Sequence, residues 1–178
     1  MNYGEIKNID TANGLGIRVS LFVAGCPRRC FNCFNPELWD YEAGELFTSK
    51  EEDEIIQYLE PTHISGLTLL GGDPLAHCNV PALLPLLRKV KEIYPNKNIW
   101  AYTGDLVENL LKEKEQNGDL EEFLSLIDVL VDGPYIEEKK DLSKNNRFRG
   151  SSNQRVLDMK KTLIENKAID YELPPILC

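Results

Sequence analysis

The sequence predicts an α/β fold in which about five to six mostly parallel strands curl into a partial (β/α) barrel with helices outside. Apolar, β-branched runs predict strands at 17–25, 63–70, 98–104 and 128–134. Helical patterns between them predict helices at 49–60, 79–94, 105–115 and 120–127. Regular alternation of strands and helices favours a parallel sheet. A chain of 178 residues is short for a closed eightfold barrel, which typically needs about 250.

The first strand and the first helix have clear local signals. The run IRVSLFVAG at 17–25 is apolar and β-branched, which is typical of a buried strand, and a cysteine-bearing loop follows it directly. Ser49 is the predicted N-cap of the first helix, and Glu51 and Glu52 stabilise its first turn through the helix dipole. Pro61 ends that helix.

The remaining elements alternate in the same way. The second strand, HISGLTLL, leads into a glycine-rich turn, and closely spaced leucines predict the helix at 79–94. The strands NIWAYTG and DVLVDGP follow, and the pair Asn117-Gly118 splits the helical region between them. Residues 136–155 are polar and loop-like, and a short strand and helix are predicted near 155–166.

Composition and charge indicate one domain spanning residues 1–178 and exclude several functional classes. A net charge of −9 argues against a nucleic-acid binder, because phosphate contacts need a basic face. We find no apolar run of about 18 residues and no signal peptide at the N-terminus, so no membrane association is expected. Five cysteines, three of them clustered, do not resemble a disulfide framework and favour a cytoplasmic protein with reduced thiols.

Three cysteines stand at C-x3-C-x2-C spacing in the loop after the first strand. Cys26, Cys30 and Cys33 supply three thiolates, whereas a cubane iron–sulfur cluster normally takes four cysteine ligands. Three ligands would leave one iron open to bind and reduce a small molecule. The alternatives are buried thiols, disulfides and structural zinc, which needs four protein ligands. For zinc, the fourth ligand would come from His63, His77, Cys78 or Cys178.

Other candidate site residues follow the second, third and fourth strands. The carboxyl ends of parallel strands meet at one edge of a sheet, so we expect these residues to lie near the cysteine loop. Their alternative roles are ordinary turn residues and a core tyrosine. The residues are Gly71, Gly72, Asp73, Pro74, Tyr102, Thr103 and Asp132.

The motifs together resemble a known family. C-x3-C-x2-C after a first strand is similar to the signature of the radical S-adenosylmethionine (SAM) superfamily. The segments CPRRCFNCFNPELWD, LTLLGGDPL, WAYTG, VDGPY and FRGSSNQRVLD resemble, more narrowly, the activating proteins of anaerobic (class III) ribonucleotide reductases. This resemblance runs from about Gly14 to Asp158 and implies a partial barrel of the radical SAM type.

The resemblance also implies an activity. In this family a [4Fe-4S] cluster held by the three cysteines reductively cleaves SAM, and the product radical generates a glycyl radical on the large reductase subunit. An electron donor such as flavodoxin reduces the cluster. SAM would be bound by the glycine-rich turn and the strand ends, that is, Gly71, Gly72, Asp73, Pro74, Tyr102, Thr103 and Asp132. Docking on the reductase would use Arg147, Arg149, Asn153 and Arg155.

Two other functions stay open at this point. One is activation of another glycyl-radical enzyme, such as pyruvate formate-lyase. The other belongs to a different class, a non-catalytic zinc or iron–sulfur binding module. The metal content of the anaerobically purified protein would separate this module from the activases if the metal is zinc.

Overall fold

The computed structural model describes residues 1–175, so Cys178 lies outside the described residues. The strands are β1 (Asn2–Asp10), β2 (Ile17–Val23), β3 (Glu45–Leu46), β4 (Ile64–Gly71), β5 (Asn98–Tyr102), β6 (Val129–Asp132) and β7 (Arg155–Asp158). The helices are α1 (Ser49–Leu59), α2 (Asn79–Ile93), α3 (Val107–Glu113), α4 (Gly118–Leu126) and α5 (Met159–Glu165). None of these helices is long and apolar enough to cross a membrane.

The strands form one seven-stranded sheet in the order β3-β1-β2-β4-β5-β6-β7. The central strands β2, β4, β5 and β6 are parallel, and they are the first four strands predicted from the sequence. The short strand and helix predicted near 155–166 are β7 and α5. At both sides the pairing is antiparallel, between β1 and its two neighbours and between β6 and β7. The α/β class is confirmed, but the sheet is mixed and the prediction of mostly parallel strands was wrong. The order and pairing of the strands do not confirm that the sheet curls into a partial barrel, so the barrel stays a prediction.

The predicted helices are present, with ends within two residues of the predicted ones. One cap differs from the prediction. Thr48 rather than Ser49 is the N-cap of α1, and it forms a capping box in which the backbone N–H of Thr48 donates to Glu51 at 2.9 Å. In the other half of the box, the Thr48 hydroxyl oxygen accepts from the backbone N–H of Lys50 at 3.3 Å.

The two faces of the sheet carry different side chains. In β2, Val19, Leu21 and Val23 belong to the main apolar core, together with buried leucines of α2. Side chains alternate along a strand, so Arg18 and Ser20 point to the opposite face, and both are fully buried there. One face of the sheet is therefore covered by helices, and the other holds polar groups beneath the strand ends.

Arg18 is the centre of this polar layer. Its guanidinium donates to the Thr68 hydroxyl at 2.6 Å and to the Asn98 side-chain oxygen at 2.7 Å. It also donates to the carbonyls of Leu15 and Leu67, and it lies over the ring of Trp100 at 5.4 Å. Burial lowers the pKa of Arg18 to about 10, so the group stays charged at neutral pH. Arg18 thus ties the loop before β2 to the next two parallel strands.

Candidate functional site

A cavity of about 530 Å³ opens at the carboxyl ends of the parallel strands. Many of the predicted site residues meet there, as the shared edge of the sheet requires. Asp73, Pro74 and Asp132 are not among the lining residues. The predicted residues that line the cavity are Cys26, Cys30, Cys33, Gly71, Gly72, Tyr102, Thr103 and Arg149.

The cysteine loop is shaped by its own backbone. The N–H of Cys26 donates to the carbonyl of Trp39 at 3.1 Å, and the N–H of Cys33 donates to the carbonyl of Cys30 at 3.1 Å. The Asn35 N–H donates to the Cys33 sulfur at 3.4 Å. All three thiols are free and half-buried. Burial raises the pKa of the Cys26 thiol, and hydrogen bonds from the backbone of Arg28 and Arg29 oppose the rise.

The donor set at the cavity fits an iron–sulfur cluster with one open iron. Three thiols face a common cavity, and its lining in residues 1–175 contains no fourth cysteine and no histidine. A structural zinc would need that fourth ligand. Across the described part of the chain, no three His, Cys, Asp or Glu side chains stand in a ready metal-binding arrangement. Ligation by the three cysteines therefore belongs to the proposal below.

The glycine-rich turn after β4 packs directly on the cysteine loop. The N–H of Gly72 donates to the carbonyl of Val23 at 2.7 Å. A Cβ atom at Gly72 would lie 2.6 Å from the backbone oxygen of Gly25, and Gly71 adopts a φ of +104°. Glycine is thus required because two backbone segments approach closely here. The turn fixes the position of the cysteine loop.

Asp73 lies behind the wall of the cavity. Its buried carboxylate accepts bonds from the Leu75 N–H at 3.0 Å and from the Thr103 hydroxyl at 3.1 Å. The Gly104 N–H is a third donor at 3.3 Å, and the Arg28 Nε lies 3.7 Å away. Burial raises the pKa of Asp73, and these donors oppose the rise. The carboxylate therefore ties the ends of β4 and β5 to the cysteine loop.

Asp132 and Arg155 form an ion pair outside the cavity. Asp132 is fully buried, and it accepts from the Val107 N–H at 2.8 Å and from the guanidinium of Arg155. Arg155 also donates to both carboxylate oxygens of Glu108 at 2.8 Å, which lowers the pKa of Glu108 to about 2. Asp132, which the sequence predicts to contact SAM, is thus paired with Arg155, which the sequence predicts to dock on the reductase.

The other predicted docking residues are only partly brought together. Arg149 lines the cavity and donates to the carbonyl of Gln154 at 3.2 Å. Asn153 donates to the carbonyl of Pro134 at 2.8 Å, and Arg147 donates to the carbonyl of Pro174. Asn153 and Arg147 therefore hold the loop after β6 in place and do not line the cavity.

Sequence reasoning did not identify several lining residues. Phe22 alternates with the core side chains of β2, so the strand pattern contained the signal for it. Tyr135, Phe148 and Gln154 lie in the loop after β6, where no strand or helix periodicity predicts which side chains face the cavity. The Tyr102 hydroxyl is buried without a hydrogen-bond partner in residues 1–175, and burial raises its pKa. The unpredicted lining residues include Lys7, Phe22, Leu70, Tyr135, Phe148 and Gln154.

Comparisons with known proteins show the family of this chain. Residues 12–157 match the model of a family described as a 4Fe-4S single cluster domain. An anaerobic ribonucleoside-triphosphate reductase-activating protein of Haemophilus influenzae is 44% identical over 86% of this chain and 96% of its own length. A protein of the same name from Escherichia coli K12 is 41% identical over 86% of this chain and 96% of its own length. The one from phage T4 is 39% identical over 88% of this chain and 93% of its own length. The chain therefore belongs to the family of anaerobic ribonucleoside-triphosphate reductase-activating proteins with a 4Fe-4S domain.

Proposed function

We propose that this protein is a radical SAM activase that generates a glycyl radical on the large subunit of an anaerobic ribonucleoside-triphosphate reductase. The observation that carries the proposal is the meeting of three half-buried thiols with the glycine-rich turn and the β5 end at one cavity. When bound, the reduced cluster supplies one electron that splits SAM into methionine and a 5′-deoxyadenosyl radical, which removes a hydrogen atom from a glycine Cα.

In this proposal Cys26, Cys30 and Cys33 are the protein ligands of the cluster. Three ligands would leave one iron of the cluster without a protein ligand and open to SAM. Phe22 and Leu70 line the cavity beside the thiols and limit the access of water to it. Exclusion of water protects a reactive radical from side reactions.

The cavity has the size and the polar groups to hold SAM. Its volume of about 530 Å³ lies within the range of about 300–1,000 Å³ typical of small-molecule sites. The backbone of Gly71 and Gly72 lines its wall, and the Tyr102 hydroxyl has no hydrogen-bond partner within residues 1–175. Asp73 acts indirectly in this proposal, because its carboxylate holds Thr103 and the Gly104 N–H in position.

The partner follows from the relatives, which are named for activating an anaerobic ribonucleoside-triphosphate reductase. We infer the same target for this chain. A small acidic redox protein such as a flavodoxin is the proposed electron donor, and the cytoplasm is the proposed location. Residues 1–178 act as one domain in this account.

The test is formation of the glycyl radical. The protein is reconstituted with iron and sulfide without oxygen, reduced with dithionite, and mixed with SAM and the reductase subunit. We expect an electron paramagnetic resonance doublet of a glycyl radical that requires SAM and is lost in Cys30→Ala. A doublet on pyruvate formate-lyase but none on the reductase would show that the assigned target is wrong.

A further inference from the structure

Arg28 is a cation inside the cysteine loop, and it lines the same cavity as the three thiols. Its side chain is 31% exposed, so water and salt screen its charge only in part. The other cations that line the cavity are Lys7 and Arg149, and the lining within residues 1–175 includes no Asp or Glu. Arg28 is therefore the lining cation that the chain places between two of the cysteines.

A carboxylate at the start of α3 holds the guanidinium of Arg28. The Arg28 Nη2 lies 2.6 Å from Asp105 Oδ2. The other carboxylate oxygen, Asp105 Oδ1, accepts from the Leu106 N–H at 2.8 Å and from the Asn109 side-chain amide at 2.7 Å. The Asp105 carbonyl accepts from the Gly133 N–H at 2.7 Å. Asp105 is thus fixed through both its side chain and its backbone, and it gives Arg28 a defined position.

Packing on the end of β5 fixes the remainder of the Arg28 side chain. A Cβ atom at Gly104 would lie 2.9 Å from the Arg28 Nε and closer still to its Cδ, so the side chain runs directly over the Gly104 backbone. The Nε also lies 3.7 Å from the buried carboxylate of Asp73. The backbone of Arg28 hydrogen-bonds to the Cys26 thiol. Arg28 therefore connects a proposed cluster ligand to the ends of β4 and β5.

We propose that Arg28 raises the reduction potential of the cluster held by Cys26, Cys30 and Cys33, and that Asp105 keeps the Arg28 charge in position. The proposal rests on the proposed function, because it takes the three cysteines as the ligands. Reduction passes one electron from the reductant to the cluster, with no bond formed or broken and no proton transferred. The added negative charge is stabilised by a nearby cation, and net charge is one of the factors that set cluster potentials.

The carboxylates that hold Arg28 do not cancel this effect. Asp73 and Asp105 are not among the lining residues, whereas Arg28 is, so the cation lies between these acids and the cavity. If Arg28 were absent, both carboxylates would stand near the cysteine loop without this cation. The cluster would then accept an electron less readily.

The test is the midpoint potential of the reconstituted cluster, measured by an anaerobic redox titration that is followed by electron paramagnetic resonance. Arg28→Gln removes the cation and leaves both carboxylates in place. At a fixed potential, its ratio of reduced to oxidised cluster should fall about tenfold, which for one electron is a shift of about 59 mV to a more negative midpoint. Arg28→Lys keeps the charge, so its midpoint should stay close to the original value.

The matched control is Arg29→Gln, which makes the same change in net charge at the neighbouring residue. Arg29 is exposed and is not among the lining residues, so its midpoint shift should be less than about half that of Arg28→Gln. Equal shifts in these two variants would show that only the net charge of the loop matters and would overturn the proposal. Equal shifts in Arg28→Gln and Arg28→Lys would assign Arg28 a purely structural role, and an unchanged midpoint in Arg28→Gln would refute any influence on the potential.

Asp105→Asn decides the proposal if Arg28→Gln retains too little iron for a titration. Asparagine keeps an oxygen for the Leu106 N–H and removes the negative charge beside Arg28. The midpoint should therefore become less negative, and an unchanged or more negative value would overturn the proposal. The double variant Arg28→Gln/Asp105→Asn should have a midpoint between those of the two single variants.

The midpoint potentials are measured without SAM and without the reductase, so they are independent of the proposed reaction. Absence of SAM cleavage by the reduced original protein, even with the reductase present, would refute the proposed function. The potentials of the Arg28 and Asp105 variants would still decide whether Arg28 tunes the cluster.

Discussion

Charged side chains beside the cavity are mostly held by one another, and this decides which of them reach a ligand. Asp73 and Asp132 are buried acids at strand ends, and each has several protein donors. The sequence places both acids at the correct edge of the sheet. It does not predict which groups their carboxylates contact, because their partners Arg28 and Arg155 lie 45 and 23 residues away in the chain.

Tyr102 has the opposite character, since its buried hydroxyl has no partner in the described residues. Tyr102→Phe should leave the free energy of unfolding of the unliganded protein unchanged or slightly raised, because no hydrogen bond is lost. The same change should weaken SAM binding by about 1 kcal/mol, roughly fivefold in Kd. Thermal unfolding and calorimetric titration of the reconstituted protein measure the two effects. A large loss of stability with unchanged SAM affinity would contradict the assigned role.

Glu108 gives a pH-dependent test of the Arg155 ion pair. The pKa of Glu108 falls from 4.5 to about 2 because Arg155 donates to both of its oxygens. Its contribution is therefore present above pH 4.5 and is lost as the pH falls from 4.5 towards 2. Glu108 is half-exposed, so we expect only about 1 kcal/mol for Glu108→Gln at pH 7. Denaturant unfolding at several pH values should show this difference shrinking on acidification, and a constant difference would refute it.

At the level of the elements, the glycine-rich turn after β4 and the cysteine loop form one unit. The backbone N–H groups of Gly72 and Asp73 donate to the carbonyls of Val23 and Gly25 at 2.7 and 2.8 Å. The sequence shows that glycines end this strand. It does not show that they face another backbone segment, because that contact forms only when β2 and β4 pair in parallel register.

Gly72→Ala tests this contact. An added Cβ would lie 2.6 Å from the Gly25 oxygen and 3.0 Å from the Leu38 oxygen, and backbone atoms cannot move aside easily. We expect a loss of about 1–3 kcal/mol in unfolding free energy and poor retention of iron after reconstitution. Gly118→Ala is the matched control, since no atom of the described residues lies within 4 Å of its added Cβ. Equal behaviour of the two variants in denaturant unfolding and iron analysis would contradict the account.

Across the whole molecule, the parallel centre of the sheet could be predicted and its edges could not. The strands β2, β4, β5 and β6 are rich in apolar and β-branched residues and are buried along most of their length, which is typical of strands covered on both faces. Strand β1 reads NYGEIKNID and is largely half-buried or exposed, so its sequence lacks that signal. Its antiparallel pairing with β2 depends on the loop at residues 11–16, which Arg18 and Asp10 hold by side-chain bonds.

The central claim is that the three cysteines support reductive cleavage of SAM. The most direct measurement is quantification of 5′-deoxyadenosine and methionine after anaerobic reconstitution, reduction with dithionite and addition of SAM, with and without the reductase. We predict equal amounts of both products from the original protein and none from Cys30→Ala. An intact, reduced cluster that yields neither product, even with the reductase present, would contradict the account.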